Sequence, residues 1–464
     1  MATQALKCER HGEATRLTCV ECGKPICPKC AVRTDVGHKC EADAKGVELS
    51  KETLAMLRPS RTPLYLGLAG LALFVVVIGF LLLRGGGDDG QETNTQALPA
   101  VGTWTPVPDL VSIRGTTTLV LLKDGKALAA GGGVGQIAVP AAEIFDPAAG
   151  VWQATGQMNQ ARRGHQAVVL GDGRVLVAGG IAEGDLLASA EIYDPAAGRW
   201  TTTAPMTTPR LGNTLTLLSN GNVLATGGTS ADTAAGAGGG QTIRPDNTAE
   251  IYNVQTGRWT KTGGAMSTPR FEHTATLLDD GRVLIAGGQG PPISGSSAAL
   301  ASTEIYDPAV DSFRNSNDMT DARFNHAAVK LPDRTVMVVG GAGGTNGDTS
   351  LATAEVFNPG DGSWTTVGAL AGSRTGHSAV AFSDGRVLVA GGESVTRGNR
   401  RSLASAEIFT LERREWRSAG NMNCPRSEAG ATVLGDGSAL VVAGDFAAPG
   451  QQPDPKGCAD RYRP

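Results

Sequence analysis

The sequence predicts a mainly β fold built from a repeated unit of four strands. The 464 residues include 64 glycines and 24 prolines, about a fifth of the chain, a composition that disfavours long soluble helices. Hydrophobic residues make up 41% and charged residues only 19%, so the chain has enough apolar surface for a core and is not expected to be disordered. The net charge of −4 excludes a general nucleic-acid binder. A repeat that begins at residue 104 then defines the unit.

Residues 1–45 contain closely spaced cysteine and histidine residues of the kind that bind zinc. Such spacing is typical of tetrahedral zinc sites, and a segment this short needs the metal for its folding energy. We therefore predict structural zinc, in preference to a catalytic zinc or a redox thiol system. The candidate ligands are Cys8, His11, Cys19, Cys22, Cys27, Cys30, His38, Cys40 and Asp43.

This spacing resembles the B-box zinc finger, in which alternate ligand pairs share a metal ion. The resemblance implies two zinc ions. The first would be held by Cys8, His11, Cys27 and Cys30. The second would be held by Cys19, Cys22, Cys40 and either His38 or Asp43. B-boxes serve as protein-interaction modules, so the resemblance also implies a cytoplasmic protein partner for this segment.

Residues 64–83 are a run of twenty uncharged, mostly apolar residues that follows a juxtamembrane segment, 46–63. At a rise of about 1.5 Å per residue such a helix just spans a bilayer core, so we predict one transmembrane helix. A signal peptide is the alternative, but it would start much closer to the N-terminus. Basic residues are concentrated before the helix, which predicts a cytoplasmic N-terminus at the cell membrane and an extracytoplasmic C-terminal part. A flexible polar linker, 84–98, joins the two.

From residue 104 onward, aromatic markers recur 48 to 59 residues apart. Each unit contains an arginine, an Asp-Gly type of turn, an apolar run that ends in Gly-Gly, and a segment like Glu-Ile-Tyr-Asp-Pro. Short Val-rich runs bounded by turn residues predict strands, four in each unit, which we label a to d. The markers are Trp104, Trp152, Trp200, Trp259, Phe313, Trp364 and Trp416.

These features resemble the kelch repeat, over essentially all of residues 99–464. The resemblance implies a β-propeller, in which radial repetition leaves only short sheet edges around a central channel. Residues 459–464 match the strand c segment of other units, and residues 99–104 match the start of strand d. Pairing of these two ends would complete a seventh unit, so we expect a seven-bladed propeller, with six blades as the alternative.

The two faces of such a propeller are expected to differ. Because neighbouring strands are antiparallel, the b–c and d–a loops share one face and the a–b and c–d turns share the other. The a–b turns are nearly uniform, whereas the b–c loops vary in length and are longest at about 229–249. Variable loops on a rigid scaffold commonly carry recognition. We therefore expect the b–c/d–a face to point away from the membrane and to bind a protein or glycan ligand.

An arginine recurs at the entry to strand a, near the mouth of the predicted channel. An anion-binding ring is one interpretation of this pattern. An acidic residue also recurs at the start of strand c, so a repeated structural ion pair is the alternative, which we favour. The arginines are Arg114, Arg162, Arg210, Arg270, Arg323, Arg374 and Arg426. The acids are Glu143, Glu191, Glu250, Glu304, Glu355, Glu407 and Asp460.

Other residues near the same face have weaker patterns. A histidine stands three residues after four of the arginines, which we attribute to packing or hydrogen bonding rather than to metal binding: His165, His273, His326 and His377. Phenylalanines that are not repeat markers are further candidate ligand contacts: Phe271, Phe324 and Phe446. Cys424 and Cys458 are expected on this face in adjoining units outside the membrane, so we predict a disulfide, with two free thiols as the alternative.

These patterns favour a single-pass membrane scaffold with two binding modules and no enzymatic activity. Kelch blades resemble those of galactose oxidase, whose copper site needs tyrosine and histidine ligands. Here Tyr65 falls in the predicted transmembrane helix and the other four tyrosines are strand c markers. The alternatives are a membrane-anchored propeller enzyme acting on an extracytoplasmic glycan or small substrate, and a structural adhesion protein of the cell envelope.

Overall fold

The computed structural model describes six short strands between residues 6 and 40 and most of residues 102–464, with gaps at 233–241, 293–297, 345, 447–453 and 456. The chain divides into two units, Met1–Thr95 and Gln96–Pro464. The described residues form strands, turns and loops, and none of them is helical. Among these residues there is therefore no helix with the length and apolar character that a membrane span requires. The predicted juxtamembrane segment, transmembrane helix and linker, 46–98, lie outside them.

The N-terminal unit contains three pairs of short antiparallel strands. The pairs are Leu6–Lys7 with Ala14–Thr15, Leu17–Thr18 with Pro25–Ile26, and Ala31–Thr34 with Gly37–Cys40. His38 and Cys40 belong to the last of these strands. The zinc module stays a prediction, because its other candidate ligands lie outside the described residues: Cys8, His11, Cys19, Cys22, Cys27, Cys30 and Asp43.

Within its described residues, the larger unit contains seven antiparallel sheets with the strand order a-b-c-d, numbered by the chain order of their strands a, together with smaller sheets formed by the b–c connections. Strands a are Thr118–Leu121, Gln166–Val169, Thr214–Leu217, Thr274–Leu277, Ala327–Lys330, Ser378–Ala381 and Gly430–Val433. Strands b are Ala127–Ala130, Val175–Ala178, Val223–Thr226, Val283–Ala286, Val336–Val339, Val387–Ala390 and Ala439–Val442. Strands c are Ala142–Asp146, Ala190–Asp194, Ala249–Asn253, Thr303–Asp307, Ala354–Phe357, Ser405–Thr410 and Ala459–Arg463. Strands d are Val151–Ala154, Arg199–Thr203, Arg258–Lys261, Ser312–Asn315, Trp364–Val367, Glu415–Asn421 and Thr103–Val107.

The two ends of this unit meet in sheet 7. Strand c of that sheet, Ala459–Arg463, pairs with Thr103–Val107, which supplies its strand d from the start of the unit. The strands a of consecutive sheets contact one another, and the strand a of sheet 7 also contacts that of sheet 1. The sheets therefore form a closed ring around a central channel, and the predicted mainly β, propeller-like fold is confirmed.

The core lies between neighbouring sheets rather than within them. Strands b are completely buried, and alternate residues point to opposite faces, as the twofold period of a strand requires. In sheet 2, Val175 and Val177 pack toward sheet 1, whereas Leu176 and Ala178 pack toward sheet 3. Full burial of each Val or Leu side chain contributes about 1.5–3 kcal/mol, which makes the sheet-to-sheet contacts the main source of stability.

The Gly-Gly pair at the end of strand b is required by the close approach of the next sheet. Gly227 has a φ of +55°, and a Cβ atom there would lie 2.4 Å from the carbonyl oxygen of Arg270 in the next sheet. The Gly228 N–H donates to that carbonyl at 2.9 Å, and the Gly227 carbonyl accepts from Nη1 of Arg210 at 2.8 Å. The pair thus links two sheets through backbone contacts that leave no room for a side chain.

Candidate functional site

The b–c and d–a connections lie on one face of the ring, which we call the b–c/d–a face. In sheet after sheet, a residue of the d–a loop forms a β-bridge with a residue that follows strand b, as Arg163 does with Ile181 and Leu211 with Thr229. Several b–c connections extend these bridges into short hairpins, such as Glu393–Thr396 with Asn399–Ser402. The face is therefore built from variable hairpins that are tied to the d–a loops, and the candidate site residues lie along it.

The seven recurring arginines are structural, which corrects their interpretation as a ligand-binding ring. Their exposed fractions are 0–1%, so an external anion cannot reach them. Each guanidinium forms an ion pair with the acid of its own repeat, for example Arg210 with Glu250 at 3.1 Å and Arg323 with Glu355 at 2.8 Å. The full set of pairs is Arg114–Glu143, Arg162–Glu191, Arg210–Glu250, Arg270–Glu304, Arg323–Glu355, Arg374–Glu407 and Arg426–Asp460.

Each pair also fixes a loop. The Glu250 carboxylate accepts the backbone N–H groups of Thr207 at 2.6 Å and Thr208 at 3.2 Å, so it holds the d–a loop that precedes Arg210. Burial lowers the pKa of Arg162, and its pairing with Glu191 opposes that shift. A buried guanidinium with several hydrogen bonds to one carboxylate and to backbone carbonyls remains charged, and it positions the loop at the channel entrance.

The recurring histidines are likewise buried between sheets, and three of them bond to the preceding sheet. Nε2 of His326 lies 3.0 Å from the Thr274 hydroxyl, and Nε2 of His273 lies 2.8 Å from that of Thr226. Burial lowers the pKa of His165, His273 and His377 to about 3, with the nearby arginines adding to the shift. These imidazoles are therefore neutral, and their roles are packing and hydrogen bonding, as the repeat pattern suggested.

The second residue after each recurring arginine lines the entrance of the central channel. All seven have a left-handed backbone, with φ between +47° and +66°. Backbone N–H groups of this ring donate to the carbonyl of the neighbouring sheet, for example Glu272 to Gly212 at 2.9 Å and Asn325 to Glu272 at 2.9 Å. We call these residues the channel mouth: Thr116, Gly164, Gly212, Glu272, Asn325, Gly376 and Glu428.

The channel mouth lines two cavities of about 310 Å³ and 560 Å³, which share several lining residues. Glu428 and Asn325 line both, and Glu272 lines the larger. Nδ2 of Asn325 donates to Oε1 of Glu428 at 2.6 Å. Burial within the mouth and repulsion by Glu428 raise the pKa of Glu272 to about 7. Partial desolvation in the ring raises the pKa of Glu428, the hydrogen bond from Asn325 opposes that shift, and repulsion by Glu393 adds to it.

Glycine fits this backbone without strain, whereas glutamate in a left-handed conformation costs about 1–2 kcal/mol. Three sheets use glycine at the channel mouth, so the ring does not need a side chain there. Glu272 and Glu428 therefore place carboxylates in the mouth at a cost to backbone energy. Sequence reasoning missed both, although the signal was present: they replace glycine at one position of the repeat.

A cluster of exposed aliphatic side chains lies elsewhere on the same face, near sheet 1. Val111 and Ile113, in the d–a loop, are 71% and 56% exposed, and Val134 and Ile137, in the b–c hairpin, are 44% and 72% exposed. Gly115 and Gly133 tie the loop to the hairpin through mutual backbone hydrogen bonds of 2.8 and 3.0 Å. We call Val111, Ile113, Val134 and Ile137 the apolar cluster.

The remaining candidate residues have different environments. Phe271 is half-buried and lines the larger cavity, so it is available for contact. Phe324 is only 8% exposed, which corrects its assignment as a ligand contact. The side chain of Phe446 lies outside the described residues. Cys424 and Cys458 form a disulfide with Cα atoms 6.5 Å apart, which joins the last d–a loop to the segment that enters the final strand.

The kelch motif family matches the chain at residues 162–207 and 374–423. Beta-scruin of Limulus polyphemus is 30% identical over 206 residues, which are 42% of this chain and 22% of that protein. An F-box/kelch-repeat protein of Arabidopsis thaliana is 34% identical over 146 residues, which are 31% of this chain and 37% of that protein. The chain thus spans well under half the length of these curated relatives.

Two solved structures share the strand arrangement. A fungal alcohol oxidase in complex with copper has a TM-score of 0.63 and 18% identity, and the alignment covers 78% of this chain and 76% of that one. YjhT has a TM-score of 0.52 and 14% identity, with coverage of 64% and 94%. The likeness to an oxidase overturns the expectation that the protein is not an enzyme, because a catalytic protein has the same fold. At this identity the likeness concerns the fold alone.

The described residues of this chain do not fit a copper site of the kind expected in a copper-bound oxidase. The Tyr193 hydroxyl is engaged with that of Thr155 at 2.6 Å, and the Tyr306 hydroxyl donates to Asp311 at 2.7 Å. The histidines are buried between sheets, and within the described ranges no three His, Cys, Asp or Glu side chains converge as metal ligands. We therefore derive no step through copper.

The matched motifs and the ring of sheets lead to one structural conclusion. The Gly-Gly pairs, buried arginine–acid pairs and paired aromatic rings recur around the ring in each region that the family matches. The chain thus contains kelch repeats in a mainly β, propeller-like fold.

Proposed function

We propose that this protein is a binding scaffold whose seven-bladed kelch propeller docks a protein partner on the b–c/d–a face. The apolar cluster carries the proposal. It supplies four of the six large hydrophobic residues that are exposed among the described residues, and all four lie in the d–a loop and the b–c hairpin that the Gly115–Gly133 bridge joins. Exposed aliphatic groups on a rigid surface are typical of protein interfaces, because their burial drives association.

The surroundings of the cluster suit a specific interface. The hairpin Gly133–Val134 with Ile137–Ala138 is hydrogen-bonded, and the Gly115 bridge fixes its position against the d–a loop. A partner would therefore meet a preformed surface and lose little binding energy to loop ordering. The polar rim includes Gln136, whose carbonyl and side-chain oxygens both accept hydrogen bonds from Arg163.

We further propose that residues 64–83 anchor the chain in the membrane with residues 1–45 in the cytoplasm as a zinc-binding interaction module. The uncharged run, the concentration of basic residues before it and the cysteine spacing support this arrangement. Metal analysis of the full-length chain should find about two zinc ions per molecule, fewer in Cys19→Ser and the same number in Cys424→Ser. Deletion of 64–83 should release the chain from the membrane fraction, and retention there would contradict the anchor.

The docking surface can be tested by site-specific photocrosslinking in intact cells. A crosslinking amino acid at Ile137 should give a discrete protein adduct, and the second change Ile113→Glu in the same chain should reduce it. Val310 is the matched control, because it is 68% exposed but lies in a c–d turn on the opposite face. Equal adducts at both positions, or none at Ile137, would refute the proposed surface.

A further inference from the structure

The central channel is lined differently at its two ends. The first residue of each strand a, next to the channel mouth, is polar or small, whereas the last residue, next to the a–b turn, is aliphatic in six of the seven sheets. All six of these aliphatic side chains are half-buried, and consecutive strands a contact one another around the channel. The same position of the repeat therefore forms a ring at the a–b end. We call these residues the aliphatic collar: Leu121, Val169, Leu217, Leu277, Ala381 and Val433.

Sheet 5 departs from this pattern, because Lys330 occupies the position of the collar. The Lys330 ammonium pairs with Asp279 at 2.8 Å, and Arg334 pairs with the same carboxylate at 3.4 Å. The side chains of Lys330 and Asp279 are 41% and 44% exposed, so their ion pair contributes little to stability. An exposed counter-ion that two cations share can be displaced, and Lys330 is therefore available to a ligand with a negative charge.

A cavity of about 740 Å³ extends from the collar to the a–b turns of sheets 6 and 7. This volume lies within the range of small-molecule sites, about 300–1,000 Å³. Arg386 also lines the cavity, but its Nε donates to Asp384 at 2.8 Å and its guanidinium carbon lies 5.8 Å from the centre of the Phe382 ring. The charge that a ligand can use is therefore that of Lys330. The collar residues in the lining are Leu121, Ala381 and Val433.

An aliphatic wall with one available ammonium group complements a molecule that has an alkyl chain and one negative charge. A carboxylate suits the ammonium, because charge-assisted hydrogen bonds of this kind are short and strong. A protein segment fits less well, since its backbone N–H and C=O groups would face aliphatic side chains without hydrogen-bond partners.

We propose that the aliphatic collar and Lys330 bind a free fatty acid of medium chain length. The carboxylate would pair with Lys330 in place of Asp279, and the alkyl chain would lie against Leu121, Ala381 and Val433. The a–b turns lie on the face opposite to the apolar cluster, so this site does not depend on the proposed docking surface for a protein.

Photolabelling of the full-length chain tests the proposal directly. The probe is decanoic acid with a diazirine on its alkyl chain, and the adducts are mapped by mass spectrometry of peptides. We expect adducts on the peptides that contain Leu121, Ala381 or Val433. Unlabelled octanoate should compete about 10-fold better than hexanoate, because two more methylene groups are buried. Adducts confined to residues 64–83 or to the apolar cluster, or equal competition by the two acids, would overturn the proposal.

Lys330→Met tests the role of the charge, since methionine keeps an unbranched side chain. Labelling at the collar by subsaturating decanoic acid probe should fall about 10-fold, whereas labelling by the corresponding decanol probe should not change. Lys123→Met is the matched control, because Lys123 is an exposed lysine in the a–b turn of sheet 1 that lines a different cavity. Unchanged labelling by the acid in Lys330→Met, or an equal loss in both variants, would exclude pairing with Lys330.

Ala381→Leu tests the aliphatic wall without a polar substitution. Leucine already stands at the equivalent position in sheets 1, 3 and 4, so the fold accommodates it. The larger side chain would occupy part of the cavity, so labelling by the acid should fall several-fold while the Tm is maintained. Undiminished labelling in the folded variant would show that the alkyl chain does not lie against the collar.

Discussion

The indole Nε1 of Trp104 donates a hydrogen bond of 2.8 Å to the carbonyl oxygen of Ala419, 315 positions along the chain. The Trp104 ring also packs on Tyr462, with centroids 5.1 Å apart. Trp104 belongs to the first strand of the propeller unit, Tyr462 to the last strand, and Ala419 to the sheet before it. One side chain therefore holds the two ends of the ring together.

The first prediction concerns this closure. Trp104→Ala should lower the free energy of unfolding by about 2–3 kcal/mol, since the side chain is half-buried. It should also expose Thr103–Val107 to proteolysis, because the strand loses its anchor on sheet 6. Trp364→Ala is the matched control: Trp364 makes the same contacts, with Phe357 at 5.1 Å and the Asn317 carbonyl at 2.9 Å, but in the middle of the chain. If limited proteolysis cut both variants alike, the special role of Trp104 in closure would be excluded.

The second prediction concerns the buried ion pairs. Glu250→Gln should cost about 3 kcal/mol, because it leaves the fully buried Arg210 charge with only the more distant Asp246 carboxylate, at 3.5 Å, as its counter-ion. Asp280→Asn removes an exposed partner of Arg282 and should cost less than about 1 kcal/mol. The Arg282–Asp280 distance, 2.6 Å, is shorter than that of the buried pair, so burial rather than distance should decide the outcome. Urea unfolding of the full-length variants measures both, and equal losses would contradict this reasoning.

Much of this fold could be predicted because it repeats. The strand order, the Gly-Gly pairs and the pairing of the chain ends follow from comparing one unit with another, and so does the favoured pairing of Arg210 with Glu250. The exposure of an individual side chain could not be predicted from the repeat. Phe324, for example, packs against the b–c loop at Gly347, where a Cβ atom would lie 2.5 Å from the Phe324 ring. That contact depends on loop conformation, which the repeat does not specify.

The channel mouth shows a second limit. Glu272 and Glu428 differ from the glycines at equivalent positions, but their proximity depends on the closed ring and on the left-handed backbone at each position. A sequence pattern shows what each unit contains. It does not show which unusual residues of different units lie close together, because that depends on the circular arrangement of the sheets. The acidic channel mouth could therefore be recognised only in the structure.

The third prediction concerns acid. His165, His273 and His377 have a pKa of about 3 in the folded chain and about 6.5 when unfolded. The unfolded state therefore binds more protons between these values, and the free energy of unfolding should fall as pH drops from 6.5 toward 3. At pH 5 each histidine should account for about 2 kcal/mol of that loss. Glu272 acts in the opposite direction, since its raised pKa favours the folded state below pH 7.

His165→Asn tests this linkage, because sheet 3 already carries Asn213 at the equivalent position. The variant should lose less stability than the wild type between pH 7 and pH 5, measured by urea unfolding at each pH. Parallel losses in the two proteins would mean that His165 does not contribute to the acid sensitivity.

The fourth prediction concerns the disulfide. Cys424 and Cys458 close a loop across a separation of 34 residues, for which the loss of unfolded-state entropy predicts a stabilisation of about 3–4 kcal/mol. The bond ties the last strand to the d–a loop that contains Arg426, whose Nη1 donates to the Cys458 carbonyl at 2.7 Å. A reductant should therefore lower the Tm of the propeller in the wild type but leave that of the Cys424→Ser, Cys458→Ser double variant unchanged. A similar fall in both would place the redox effect on other cysteines, and no fall in either would contradict the predicted stabilisation by the disulfide.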